Sequence, residues 1–135
     1  MLTSAVELIR NGDTVYVSGF VAQGSPEAIL RSLGDRFNLS EQGNPRNLTL
    51  IFGGGPGDSG ELGLSHLAKR KYVKNNDAND SSPVGMLRRV IGGHYGQVPK
   101  IQELVKNNQC EAWALPMGSI SRMIRAQSAH SPGKL

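Results

Sequence analysis

Short apolar runs and stretches of helical periodicity alternate along this chain. Apolar, β-prone residues predict strands at 15–17, 48–52, 87–91 and 111–115. Stretches with apolar positions three and four residues apart follow several of these runs, and each one predicts an amphipathic helix. Because apolar strands that alternate with amphipathic helices form parallel sheets, the pattern predicts an α/β fold. The expected architecture is an open, mainly parallel sheet with helices on both faces.

The segment around the first glycine turn shows the repeating unit most clearly. After the strand at 15–17, residues 18–24 are predicted to turn the chain. Ser25 is predicted to be the N-cap of the next helix, with Pro26 at the first helical position and Glu27 at the positive end of the helix dipole. The turn therefore places a loop of backbone amides above the carboxyl end of a strand, where open α/β sheets often bind ligands.

The other predicted elements follow the same logic, with one exception. Residues 71–86 are rich in Asn, Asp and Ser without a hydrophobic period, which predicts an exposed, mobile loop inserted into a single domain of residues 1–135. The remaining expectations are a helix at 5–9 ended by Asn11-Gly12, a polar connection at 34–46 that is helical near 36–39, a glycine loop at 53–60, and helices at 62–70, 99–105 and 119–127.

Composition narrows the functional class. The scarcity of aromatic residues argues against base stacking, and a net charge of only +4 is weak evidence for nucleic acid, so no nucleic-acid partner is expected. The single cysteine, Cys110, excludes an internal disulfide and suits a reducing compartment. No apolar run has membrane length and no secretion signal is evident at the N-terminus, so we expect a cytoplasmic protein without a membrane partner.

Two glycine-rich segments are candidates for nucleotide binding, but neither has the complete motif that such binding requires. Gly19 and Gly24 have the spacing of a phosphate-binding P-loop, but Ser25-Pro26 stand where that motif requires Lys and Ser or Thr. The glycines at 53–55 follow a strand without the full dinucleotide-binding pattern or its downstream acid. The sequence therefore favours neither a nucleoside triphosphatase nor a dinucleotide enzyme.

The side chains most often used in catalysis also have structural interpretations. His66, His94 and His130 lack partners at metal-ligand spacing, so no metal site is expected. His94 lies in a glycine turn and is the one histidine considered for function, although a structural role explains it equally well. Cys110 is interpreted as a small packing residue. Three aromatic residues on predicted strands are interpreted as core: Tyr16, Phe52 and Trp113.

Several loops, taken in order, resemble the family I coenzyme A transferases. The resemblance covers nearly the whole chain except residues 71–86 and is strongest toward the acetate or propionate coenzyme A transferases, in which two related halves are fused. On this resemblance the chain corresponds to the N-terminal part of a first half, with a fold shared with sugar-phosphate isomerases. The matching segments are 12–14, 19–27, 54–58, 60–64, 89–96, Pro99-Lys100, 114–118 and Ile120-Ser121.

The chain also departs from the family pattern. Ser18 stands where the signature has glycine, and Met117 replaces a glutamine in the last turn. Residues 71–86 look like an insertion. The chain stops soon after Pro132-Gly133, where a family member would continue for several hundred residues, so we expect a truncated version of the fold.

The resemblance implies a ping-pong reaction between an acyl-coenzyme A and a small carboxylic acid. A glutamate of the second half attacks the thioester, and backbone amides stabilise the oxyanion. No glutamate of this chain matches that motif, so no catalytic residue is assigned here, coenzyme A enters as a substrate, and no metal is expected. The implied substrate and oxyanion loop is Gly19, Phe20, Val21, Ala22, Gln23, Gly24, Gly54 and Gly55, and the implied pocket rim is Gly93, His94, Tyr95, Gly96 and Met117.

Three alternatives are compatible with the same residues. The glycines also fit ordinary turn geometry. The chain could be a catalytically inactive remnant or regulatory partner of a coenzyme A transferase, or a relative of the sugar-phosphate isomerases. A sheet this short leaves an exposed edge in each case, so we expect a second-half chain or a homo-oligomer as partner.

Overall fold

The computed structural model describes residues 2–74 and 81–132, which form an α/β fold. The helices are α1 (Leu2–Glu7), α2 (Glu27–Leu39), a 3₁₀ helix (Gly63–Leu67), α3 (Pro99–Lys106) and α4 (Met117–Ser128). The strands are β1 (Thr14–Phe20), β2 (Leu48–Gly54), β3 (Arg70–Lys74), β4 (Ser81–Gly85), β5 (Leu87–Gly92) and β6 (Glu111–Ala114). Within those ranges no helix is long and apolar enough to cross a membrane.

The central sheet has four parallel strands in the order β1-β2-β5-β6. The parallel sheet predicted from the apolar runs is therefore confirmed. The sheet grows in one direction, and right-handed crossovers then place the connecting helices on one face. The buried apolar cluster agrees, because it joins α2, the 3₁₀ helix and α3 to alternate residues of the strands. Its members include Val17, Leu30, Leu33, Phe37, Leu50, Phe52, Leu64, Val90 and Ile101.

The second face of the sheet is only partly covered. The strand register places four residues in one row, Tyr16, Ile51, Ile91 and Trp113. Helix α4 contacts β2, and its Ile120 is buried, as is Ile51. At the two edge strands, however, Tyr16 is 46% and Trp113 is 54% exposed. The interpretation of Tyr16 and Trp113 as core was wrong because the register turns both away from the main cluster, whereas Phe52, at 0% exposure, is confirmed as core.

Helix α2 is longer than the sequence pattern indicated. It continues through Gly34 to Leu39, so the expected break at residue 34 was wrong. Gly34 is buried, and a Cβ atom there would lie 2.6 Å from the carbonyl oxygen of His66. Glycine at this position thus lets α2 approach the 3₁₀ helix closely. That 3₁₀ helix spans Gly63–Leu67, which is shorter than the helix expected at 62–70.

The prediction of a mobile, coreless loop at residues 71–86 was wrong for its described part. Strands β3 and β4 pair antiparallel, with Lys71 opposite Val84 and Val73 opposite Ser82. Val73 is 8% exposed and Met86 is 0% exposed, because both side chains pack inward. Backbone pairing gives this polar segment the hydrogen bonds that its side-chain pattern did not reveal. Residues 75–80 lie outside the described residues.

Candidate functional site

The four turns singled out in the sequence lie at one edge of the sheet. Because β1, β2, β5 and β6 run parallel, their carboxyl ends meet at the same edge. We call the turns that follow these ends the carboxyl rim. They are residues 19–24, 53–57, 92–96 and 115–118.

The first two turns of the carboxyl rim contact each other directly. The Gly57 amide donates to the carbonyl oxygen of Val21 at 2.6 Å. A Cβ atom on Gly19 would lie 2.8 Å from Cβ of Pro56, so only glycine permits this approach. The contact joins the predicted substrate loop to the glycine turn after β2.

The turn at 20–23 is tight and strained. Phe20 and Gln23 exchange two backbone hydrogen bonds, at 3.0 and 2.9 Å. Val21 between them has a φ of +52°, a conformation that is costly for a β-branched residue. Among the described residues, the Ala22 and Gly24 amides donate no hydrogen bond to another part of the protein. Those two N–H groups are therefore available to a ligand.

The third and fourth turns complete the carboxyl rim. The Gly93 amide donates to the Phe52 carbonyl oxygen at 3.1 Å, and the Leu115 amide donates to that of Gly92 at 3.1 Å. A Cβ atom on Gly93 would lie 2.5 Å from Cγ of Met117, so the two turns are in close contact. Met117, which is 54% exposed, is the first residue of α4.

The two ring-bearing residues of the predicted pocket rim differ in exposure. His94 is exposed, and its ring lies beside Gly96. The Tyr95 hydroxyl instead lies 3.0 Å from the carbonyl oxygen of Val90 and 2.8 Å from that of Trp113. Burial raises the pKa of Tyr95. Tyr95 therefore joins β5 to β6, while His94 is the side chain of this turn that faces solvent.

Glu27 makes polar contacts beside the carboxyl rim that the sequence did not indicate. Glu27 Oε2 accepts a hydrogen bond from the Gly63 amide at 2.7 Å, and Glu27 Oε1 lies 2.5 Å from His66 Nε2. The Leu64 amide in turn donates to the carbonyl oxygen of Pro56 at 3.0 Å. Glu27 thus fixes the end of the glycine loop to the start of α2. Its partners are 36 and 39 residues away in the chain, so no local pattern could have indicated them.

The N-cap prediction for Ser25 was wrong. Pro26 occupies the N-cap position of α2, and the helix has no side-chain cap. Ser25 therefore lies one residue too early for its hydroxyl to reach the first free amides of the helix. Its Oγ is buried without a hydrogen-bond partner in residues 2–74 and 81–132.

Substitution of Glu27 tests this support. Glu27→Gln keeps an oxygen for the Gly63 amide but removes the charge beside His66, and Glu27→Ala removes both contacts. We expect Glu27→Ala to lower the free energy of unfolding by about 2 kcal/mol and Glu27→Gln to lower it by about 1 kcal/mol. Glu103→Gln is the control, because Glu103 is exposed on α3. Urea unfolding would measure all three, and equal losses for Glu27→Gln and Glu103→Gln would contradict the assignment.

Cys110, the one cysteine of the chain, lies in the buried apolar cluster. Burial raises the pKa of the Cys110 thiol to about 11, which agrees with its interpretation as a packing residue. Among the residues that the structure describes, no group of three or more His, Cys, Asp or Glu side chains could hold a metal ion. The carboxyl rim presents backbone amides, glycine surfaces and the exposed His94 side chain.

Comparisons with known proteins agree with this arrangement. The family model for coenzyme A transferase matches residues 1–135. Acetate CoA-transferase YdiF of Escherichia coli K12 is 32% identical over 131 residues, which are 96% of this chain and 22% of that protein. Caffeate CoA-transferase of Acetobacterium woodii is 30% identical over 129 residues, with the same coverage of 96% and 22%.

A solved structure shares the fold. The crystal structure of the acyl-CoA transferase YdiF of E. coli O157:H7, in a thioester complex with CoA, superposes with a TM-score of 0.77 and 28% identity. The match covers 98% of this chain and 24% of that chain. This chain thus spans roughly a quarter or less of the length of these three relatives.

Proposed function

The chain belongs to the coenzyme A transferase family, and from that premise we propose that it forms one wall of an acyl-coenzyme A site. The observation that carries the proposal is the contact between successive turns along the carboxyl rim. The turn at 19–24 presents the free amides of Ala22 and Gly24 beside the glycine turn at 53–57. Such preorganised amides suit an oxygen that gains negative charge during acyl transfer.

The proposed reaction is a ping-pong exchange. A glutamate carboxylate attacks the acyl-coenzyme A thioester, the carbon–sulfur bond breaks, and an acyl-glutamyl anhydride and a thiolate form. The thiolate then attacks the glutamyl carbonyl, giving a glutamyl thioester and releasing the first acid. A second carboxylate accepts coenzyme A by the reverse of these steps. Glu27 is not available as the nucleophile, because both of its oxygens are bonded to Gly63 and His66.

The attacking glutamate is proposed to come from another polypeptide segment, because no glutamate of this chain matches the family's nucleophile motif. Strand β6 lies at the edge of the sheet, and all four of its residues are exposed. Beside it lies an apolar cavity of about 350 Å³ lined by Tyr95, Val105 and Ala112, among others. An unpaired edge next to an apolar surface supports association with a second-half chain or a further copy of this chain.

The purified chain is expected to show no exchange between acetate and propionyl-coenzyme A, because it supplies amides without a nucleophile. Release of propionate and formation of acetyl-coenzyme A would be followed by chromatography. Robust exchange would show that a carboxylate of this chain attacks the thioester and would contradict the proposed division of roles.

Ligand binding tests whether the turns at 19–24 and 53–57 contact acyl-coenzyme A. In amide-resolved NMR, propionyl-coenzyme A is expected to shift the resonances of residues 19–24 and 53–57. Inorganic phosphate at the same concentration is the control and is expected to leave these resonances unchanged. Shifts that spare both turns would overturn the assignment of the carboxyl rim as an acyl-coenzyme A surface.

A further inference from the structure

A second cavity lies at the amino-terminal ends of the parallel strands, opposite the carboxyl rim. It has a volume of about 490 Å³ and opens where β5 and β6 begin, beside the base of the β3–β4 hairpin. Four separate stretches of the chain line it, and none of its lining residues belongs to the carboxyl rim. The lining residues used below are Asn47, Arg70, Arg88, Asn108, Gln109 and Glu111.

One arginine of this cavity is held in place by the backbone. Arg70 Nη1 donates to the carbonyl oxygen of Gln109 at 3.1 Å. A guanidinium group has five N–H donors, so this contact leaves most of them for a ligand. Arg70 belongs to β3 and Gln109 to the turn before β6, so their contact links the β3–β4 hairpin to that turn beside the cavity.

The other charged groups leave the cavity positive. Arg88 is exposed and has no hydrogen-bond or ion-pair partner in the described ranges. The carboxylate of Glu111 is already engaged, since Oε2 accepts from Arg89 Nε at 2.8 Å and Oε1 accepts from Trp113 Nε1 at 2.6 Å. The Arg89 contact lowers the pKa of Glu111. Two guanidinium groups thus face the cavity, and its one acid is paired outside it.

We propose that this cavity binds a dianionic phosphate group. Guanidinium groups bind phosphate oxygens through paired, charge-assisted hydrogen bonds, and two arginines from different elements can share three oxygens. The side-chain amides of Asn47, Asn108 and Gln109 supply further donors around the same space. The phosphate comes either free in solution or attached to a nucleotide, and both forms present the same oxygens.

The only tryptophan of the chain reports on this site. Because Trp113 Nε1 is bonded to Glu111, a phosphate bound beside Glu111 changes the environment of the indole. Titration of the full chain with inorganic phosphate at constant ionic strength is expected to change Trp113 fluorescence saturably. Arg70→Gln and Arg88→Gln are each expected to weaken binding about tenfold or more. Arg122→Gln is the matched control, because Arg122 is exposed on α4, away from the cavity.

Two comparisons complete the test: one distinguishes a nucleotide from free phosphate, and the other distinguishes this cavity from the carboxyl rim. Tighter binding of adenosine 3′,5′-bisphosphate than of inorganic phosphate would identify a nucleotide as the ligand, and equal binding would identify free phosphate. In amide NMR, shifts are expected at Asn47, Asn108 and Gln109. A linear, unsaturated response, or equal weakening by Arg122→Gln, would overturn the proposal. The result does not depend on the carboxyl rim, which is tested with propionyl-coenzyme A at the other edge.

Discussion

A Gly63→Ala variant is expected to lose about 3 kcal/mol of its free energy of unfolding. Gly63 begins the 3₁₀ helix with a φ of +65°, and its amide donates to Glu27. A Cβ atom there would lie 2.2 Å from the carbonyl oxygen of Pro56 and 2.4 Å from Cα of Gly57. These are backbone atoms of the carboxyl rim, so relief of the clash requires the glycine loop to move.

Gly12→Ala is the matched control for Gly63→Ala, because it introduces the unfavourable backbone conformation without a steric clash. Gly12 has a φ of +83°, yet no atom lies within 4 Å of an added Cβ. Its substitution is expected to cost only about 1 kcal/mol, the cost of the left-handed conformation alone. Urea unfolding followed by circular dichroism would compare the two variants. Equal losses at both positions would show that Gly63 is not tightly enclosed.

A Phe52→Ala variant is expected to lose about 3–5 kcal/mol of its free energy of unfolding. Phe52 lies on the central strand β2 and is 0% exposed. Its ring packs edge-to-face on Tyr95, with centroids 5.5 Å apart, and fills the space beneath Gly92. Truncation therefore leaves a cavity under the β5 end of the carboxyl rim.

Phe20→Ala is the matched control for Phe52. Phe20 pairs with Gly54 at the end of β1, but its side chain is 62% exposed. Because little apolar surface is returned to water, we expect its loss to stay near 0.5 kcal/mol. Thermal unfolding would rank the two variants. A Phe20→Ala loss as large as that of Phe52→Ala would contradict the placement of the core on one face of the sheet.

The positions of the strands and of most helices follow from local sequence. Which face of each strand is covered by helices does not. The apolar runs at 48–52 and 87–91 identified β2 and β5, and Pro99 marked the start of α3. Alternation within a strand could not decide which face would be covered, so Tyr16 and Trp113 were wrongly interpreted as core. Coverage depends on which side each crossover passes, and neighbouring strands determine that side.

The polar contacts of the site lay beyond sequence reasoning for a similar reason. Loop positions could be placed at one edge because parallel strands end together. The contact of Glu27 with His66 joins residues far apart in the chain, and nothing in either neighbourhood requires the other. In the hairpin, pairing of Arg70–Lys74 with Ser81–Gly85 overrode a composition typical of loops.

The spatial order of the parallel strands also bears on how the domain is assembled during translation. The order β1, β2, β5, β6 is the order in which the ribosome makes them, so every strand after β1 finds a neighbour already synthesised. From β2 onward, each strand can pair as soon as it emerges, and each crossover can cover the growing sheet before the next strand is made. Vectorial folding of this kind adds β6 as the last of these four strands and leaves its outer side as the edge of the described sheet.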